Sequence, residues 1–324
     1  MARTRIEFVA VGLVAIACGD TRESGATASG TSPTASASAS AETGDDDDGD
    51  ATDGAPTSAD DDDASADGME DPKFDVENMG DGGIGPDTSI DCEQDIDIVF
   101  VMDVSTSMGP FLSTLADEIL VVDEAIAALG LPNPPHYGLV VFVDDAAILN
   151  AGASYADVAT LRADFMEWSA FTSTNFQVGG GNYNSTWPEN SLDALYLAAA
   201  GFQWRAEGDQ TLRMIIHTTD DTFWDGPTNQ NGVAIQHGYE EVVGALQDRE
   251  IRMFTFAAQI GGSCECEDVT PGWSTPYMGL PPIPESTDGE AFDIDLVLAG
   301  QLSLSAAING AIEENMCEPY PPQG

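Results

Sequence analysis

The chain has 324 residues, 57 acidic against 9 basic, and a formal net charge of −48. Neutralising phosphate needs Lys and Arg, so this balance argues strongly against nucleic acid and against anionic lipid headgroups as partners. From Cys92 onward the only basic side chains are Arg162, Arg205, Arg213, Arg249 and Arg252, so the acidity belongs to the whole molecule.

Met1 to Arg5 is basic and precedes an apolar stretch, Phe8 to Ala17. That length suits a secretory signal and is too short to span a bilayer. Ala15-Ile16-Ala17-Cys18 resembles a bacterial lipobox, which implies a signal peptide over 1–17, cleavage before Cys18 and acylation of its thiol. The expected product is an exported, membrane-anchored lipoprotein at the outer membrane, in the periplasm or on the cell surface. It would touch the membrane only through its N-terminal lipid. The alternative is an ordinary signal cut near Ala17, giving a secreted protein.

Residues 19–90 are mostly Ala, Ser, Thr, Gly and Asp, with runs at Asp45–Asp48 and Asp60–Asp63. So little apolar surface cannot offset ordering entropy, which predicts a disordered acidic tether. About 65 such residues reach roughly 45 Å on average. The Asp runs lack the spaced ligands and fixed Glu of an EF-hand loop.

Residues 91–318 read as one folded domain, with 319–324 a short tail. Strands are expected at Asp95–Met102, Tyr137–Val143, Ala146–Leu149, Leu212–Thr218, Ile251–Ala257 and Glu290–Ile294. Helices are expected at Phe111–Leu129, Ala156–Trp168, Ser191–Phe202, Val233–Gln247 and about Leu296 to Asn315. Mostly apolar strands alternating with helices predict a doubly wound, mostly parallel central sheet with helices on both faces, a Rossmann-like α/β fold. The segment Gly261–Ser286 is long for an α/β loop. Its Trp273 and Tyr277 read equally as packing or contact residues.

The first strand ends in Asp103-Val104-Ser105-Thr106-Ser107. Carboxylate and hydroxyl oxygens in such a cluster suit a hard cation, Mg²⁺ foremost, with Mn²⁺ or Ca²⁺ as alternatives. Ligands of open α/β sheets bind beyond the carboxyl ends of the strands, where this cluster falls. These residues resemble the metal-ion-dependent adhesion site of von Willebrand factor A domains and of the I-like domain of integrin beta subunits. The resemblance spans roughly Glu93 to Met316.

It implies metal ligands Asp103, Ser105 and Ser107 from the first loop, and Asp220 after the strand Leu212–Thr218, with Asp221 as its rival. For the second loop, Gly181-Asn182-Tyr183-Asn184-Ser185-Thr186-Trp187-Pro188-Glu189 is similar to the integrin beta pattern with two extra residues. That implies Glu189 as a ligand and Thr186 as the fallback. The same pattern implies a second cation held by Asp144, Asn182, Asn184 and Glu189. A third is not expected, because Gly109-Pro110-Phe111 stands where its acids would be.

Cys92, Cys264, Cys266 and Cys317 form an even set in an exported domain, so disulfides are expected. Three pairings are open; the resemblance implies Cys92–Cys317 closing the domain, which leaves Cys264–Cys266. A Cys-x-Cys zinc site lacks two further Cys or His ligands nearby. No Gly-x-Ser-x-Gly elbow, Walker loop or His-Glu-x-x-His is present, so no enzyme is expected. Of three histidines, His217 reads as a hydrogen-bonded core residue. The function implied is adhesion or interaction, with a protein partner whose exposed Asp or Glu completes the cation. A cation that only braces the loops is the alternative, and a metal-dependent hydrolase a remoter one.

Overall fold

A computed structural model describes residues 94–184, 187–206, 210–230, 232–259 and 268–321. The signal segment, Cys18, the tether, Cys92, Thr186, Cys264 and Cys266 lie outside the described residues. Cys317 is disulfide-bonded.

Six strands form the central sheet: β1 (Asp95–Asp103), β2 (His136–Phe142), β3 (Ala146–Ile148), β4 (Thr211–Thr219), β7 (Ile251–Ala257) and β8 (Ala291–Asp293). A separate hairpin joins β5 (Thr228–Gln230) to β6 (Val233–Ile235). The order in the large sheet is β3-β2-β1-β4-β7-β8. All pairs are parallel except β2–β3. The helices are α1 (Gly109–Ala128), α2 (Val158–Thr172), α3 (Ser191–Gly201), α4 (Tyr239–Gln247), α5 (Ile283–Ser286), α6 (Ile294–Leu298) and α7 (Leu304–Asn315).

Alternation along β1 builds two cores. Ile96, Ile98, Phe100 and Met102 pack in one cluster with α1, α2 and α7 residues such as Leu115, Phe165 and Ile308. Val99 and Val101 belong to the other, with Leu195 of α3 and Val242 of α4. The sheet is therefore apolar on both faces and covered by helices on both sides, as its near-continuous hydrophobic strands predict. The chain runs outward from β1 to β2 and β3, then returns to the other side of β1 as β4. The topological switch point lies between the carboxyl ends of β1 and β4, where an open α/β sheet leaves a crevice.

Two expected helices are revised. Val233–Gln247 is not one helix: Val233-Ala234-Ile235 pairs with β5, Gly238 is extended, and α4 starts only at Tyr239. A β-branched start favoured the hairpin over another turn of helix. The closing helix is two pieces, because Gly300 takes a left-handed φ of 67° after α6 and Ser303 then caps α7 by accepting the Ala306 N–H. Such a glycine is a usual helix stop, and Ser a usual start.

The opposite end of the sheet carries an ion-pair clamp. Arg205 Nε donates to Asp97 Oδ1 at 2.6 Å and its backbone N–H to Oδ2 at 2.7 Å. Its Nη1 lies 3.1 Å from Asp95, and Nη2 donates to the Ile96 carbonyl. Asp97 is fully buried. Arg205→Ala removes the guanidinium and leaves the buried carboxylate the backbone N–H of residue 205 and His136 at 3.7 Å. The expected cost is about 3–5 kcal/mol, read as a lower denaturant midpoint. An unchanged midpoint would show that the clamp is dispensable.

Candidate metal centre

The first loop is set by β1. Asp103 is its last residue, fully buried, and Ser105 precedes a single 3₁₀ turn, Thr106–Met108, that leads into α1. Asp103 Oδ1 accepts the Ser105 N–H at 2.8 Å, which folds the loop back over the strand end. Its Oδ2 accepts the Thr219 hydroxyl at 2.8 Å. Ser105 Oγ and Ser107 Oγ are 3.3 Å apart, and the Ser107 hydroxyl donates to Asp220 Oδ1 at 2.9 Å. The first and third loops are thus joined by two side-chain bonds across the switch point.

The second loop threads between β2 and the segment after β4. Asn190 N–H donates to the Val143 carbonyl at 2.9 Å, while Glu189 N–H donates to Thr222 and its carbonyl accepts from Trp224, both at 3.1 Å. This ladder places Glu189, only 2 % exposed, among the other carboxylates. Its Oε1 accepts the Asn184 amide at 2.8 Å. Its Oε2 is buried with no hydrogen-bond partner, and so is Asn184 Oδ1.

Burial dominates the electrostatics, and the crowding of acids adds to it. Burial, then the charge of Asp220, pushes the Asp103 carboxyl up to about 8 from its ordinary 3.8. Burial raises Glu189 well above the usual range, with Asp103, Asp144 and Asp221 adding to it. Asp220 is raised too, by burial first and also by Asp295 at the start of α6. Three carboxyls that each resist ionising, gathered with the hydroxyls of Ser105, Ser107 and Thr219, have the oxygen chemistry a hard divalent cation takes. The orphaned Glu189 Oε2 fits the same demand. Among the described residues no three His, Cys, Asp and Glu side chains converge as a ready-made cage. The cluster is a mixed carboxylate–hydroxyl one.

The structure thus brings Asp103, Ser105, Ser107 and Asp220 together through hydrogen bonds. Glu189 is held by its backbone to Thr222 and Trp224, and it meets Asp103 through its field. Asp221, the rival to Asp220, has its Oδ1 accepting the Thr222 N–H at 2.7 Å and its own N–H donating to Thr219 Oγ1 at 3.1 Å, and its charge reaches Glu189. Of the second set, Asp144 is buried and its Oδ2 accepts the Gln177 amide at 3.1 Å. Asn182 is exposed, and its carbonyl accepts the Gln177 N–H at 3.0 Å. Asn184 of that set donates directly to Glu189.

Thr219, Gln177 and Asp295 are the site's residues that sequence reading missed. Thr219 had a visible signal, its place directly before Asp220. Its role needed the β1–β4 register, which sets Met102 opposite Thr218. His217 is fully buried, with Nδ1 2.7 Å from Thr255 Oγ1. Burial pushes it down to about 3, which keeps it uncharged.

No family model matches the sequence, and no curated protein matches it. Solved structures do. An aerotolerance-related membrane protein from Bacteroides fragilis is 17 % identical, with a TM-score of 0.40, over 68 % of this chain and 99 % of that one. BatB from Bacteroides thetaiotaomicron is 14 % identical, with a TM-score of 0.42, over 67 % and 99 %. Proximal thread matrix protein 1 from the mussel byssus, solved with a zinc-occupied MIDAS motif, is 16 % identical with a TM-score of 0.38. That match covers 72 % of this chain and 50 % of that protein, so this chain spans about half its length. Likeness at this level carries no argument about chemistry, which rests on the residues above.

Proposed function

We propose that the folded domain is a von Willebrand factor A-type module that binds a protein partner through a divalent cation, completed by an acidic side chain of that partner. The observation that carries this reading is the buried, unpartnered Glu189 Oε2 beside Asp103 at the sheet's switch point. Asp103, Ser105, Ser107, Glu189 and Asp220 would hold the ion, with Mg²⁺ the expected occupant. When bound, the ion supplies residual positive charge to which a carboxylate can attach.

The chain's own residues do the rest. Thr219 and the Ser105 N–H orient Asp103. Ser107 fixes Asp220, and Asn184 fixes Glu189. The hydroxyls add no charge, so they leave more of the ion's charge for a ligand than carboxylates would. Because the protein is so acidic, a suitable partner presents its carboxylate from a surface that is otherwise neutral or basic. Tyr183 and Trp187, 62 % and 41 % exposed in the second loop, offer such a surface apolar contact.

The basic N-terminus, the apolar stretch to Ala17 and Cys18 support export and lipid anchoring of this module. The disulfide at Cys317 agrees with an oxidising compartment. No described helix is long and apolar enough to cross a membrane.

A second reading, a cation that only braces the loops, draws on the bonds already joining the first and third loops. Pull-down from envelope extracts separates the two. A partner held in Mg²⁺ and released by EDTA supports adhesion. A partner held equally in both refutes the metal bridge and favours bracing.

A further inference from the structure

The long segment before β8 has a role that its length alone did not reveal. Trp273 is fully buried, with its ring 4.5 Å from His217 and 5.0 Å from Phe223. Its indole Nε1–H donates to the Asp221 carbonyl at 3.0 Å. The Asp221 N–H in turn donates to Thr219 Oγ1 at 3.1 Å, and the Thr219 hydroxyl to Asp103 Oδ2 at 2.8 Å. Every donor points the same way, from the indole toward the buried carboxylate.

The tryptophan's placement is itself built in. Gly272 takes φ +86°, and a Cβ there would come 2.6 Å from the Phe223 ring. Its N–H donates to the Thr275 carbonyl at 2.7 Å, and its carbonyl accepts the Ile283 N–H at 2.9 Å. Tyr239 Oη donates to the Pro281 carbonyl at 2.7 Å, fastening the same segment to α4.

We propose that Trp273 is a positioning residue for the cation site. By holding the Asp221 carbonyl, it fixes the residue whose N–H meets Thr219, and so the turn that presents Asp220 and aims the Thr219 hydroxyl at Asp103. The inference rests on the cation reading above. It makes the long segment a working part of the third loop.

The test is Mn²⁺ uptake by the full chain, followed by titration and by the electron paramagnetic resonance line shape of the bound ion. Trp273→Phe should bind about tenfold more weakly, as groups behind metal ligands typically do, with an altered line shape. Phe223→Leu, in the same aromatic cluster but outside the bonded chain, should melt earlier yet keep the native affinity and line shape. Should Trp273→Phe fail to fold, β-(3-benzothienyl)alanine at 273 keeps the fused rings and lacks the N–H. It should reproduce the affinity loss. Native affinity and line shape in Trp273→Phe, or in the analogue, overturn the positioning role while leaving the cation site standing. A native chain that takes up no Mn²⁺ overturns both.

Discussion

Asp103→Asn should abolish cation uptake and, in chelator near pH 8, raise the melting temperature. The two effects have one origin. Asp103 is fully buried, its oxygens accept from Ser105 and Thr219, and burial with Asp220 pushes its carboxyl up to about 8. Ionising it without a cation works against folding. Asparagine keeps the shape and an acceptor for the Ser105 N–H, and the Thr219 hydroxyl can rotate to accept from the new amide. What disappears is the charge. Uptake of Mg²⁺ or Mn²⁺ should fall by more than about a hundredfold, beyond the usual loss for groups that only orient ligands. Each 1 kcal/mol of relief raises the melting temperature by about 2–4 °C in a domain of this size. Calorimetric titration and a thermal melt in EDTA read the two effects. Undiminished uptake would remove Asp103 from the site, and a lower melting temperature in chelator would show that its charge is already compensated.

The fold was legible because its signals are local and redundant. Short, mostly apolar runs such as Ile98–Met102 and Leu212–Thr218, rich in β-branched residues, suit strands in the middle of a covered sheet, and they lie in β1 and β4. The misjudged helices mark where a local pattern served two purposes. Val233–Ile235 has apolar spacing compatible with a helix, and only its partner Thr228–Gln230 made it a strand. The break at Gly300 was readable as a residue type, yet the Leu and Ile spacing on either side resembles one amphipathic helix.

The site divided the same way. Asp103, Ser105 and Ser107 were visible because a short turn holds them in one stretch of sequence. Asp220 and Glu189 followed from the resemblance, since nothing local joins them to Asp103 across more than eighty residues. The roles of Thr219, Gln177 and Trp273 were out of reach because each acts by a bond set through sheet register or loop docking. The Trp273 indole contacts a carbonyl, and a carbonyl leaves no mark in a sequence. Sequence alone therefore showed the ligands better than the residues that aim them.

The pH dependence of stability should change sign when a cation is added. In EDTA, Asp103 sits at about 8 folded against about 3.8 unfolded, and Glu189 and Asp220 shift the same way. A carboxyl raised by folding contributes stability that is fully present below its unfolded value and is lost as pH climbs through its folded value. The melting temperature in chelator should therefore fall between about pH 5 and pH 8. His217, pushed down to about 3 from 6.5, pulls the opposite way below about pH 6.5, but one imidazole opposes three carboxyls. Asp157 and Asp268, lowered by hydrogen bonds to Thr160 and Thr270, also oppose, yet both are exposed and their effect is confined to more acidic pH. A cation binds the ionised carboxylates and competes with protons, so saturating Mg²⁺ stabilises more as pH rises. The two melting curves should diverge toward pH 8 and converge near pH 5. Asp103→Asn should flatten the chelator curve and bring the Mg²⁺ curve onto it. Parallel curves with and without Mg²⁺ would show that the buried acids hold protons rather than an ion, and the metal-bridged reading would fall with them.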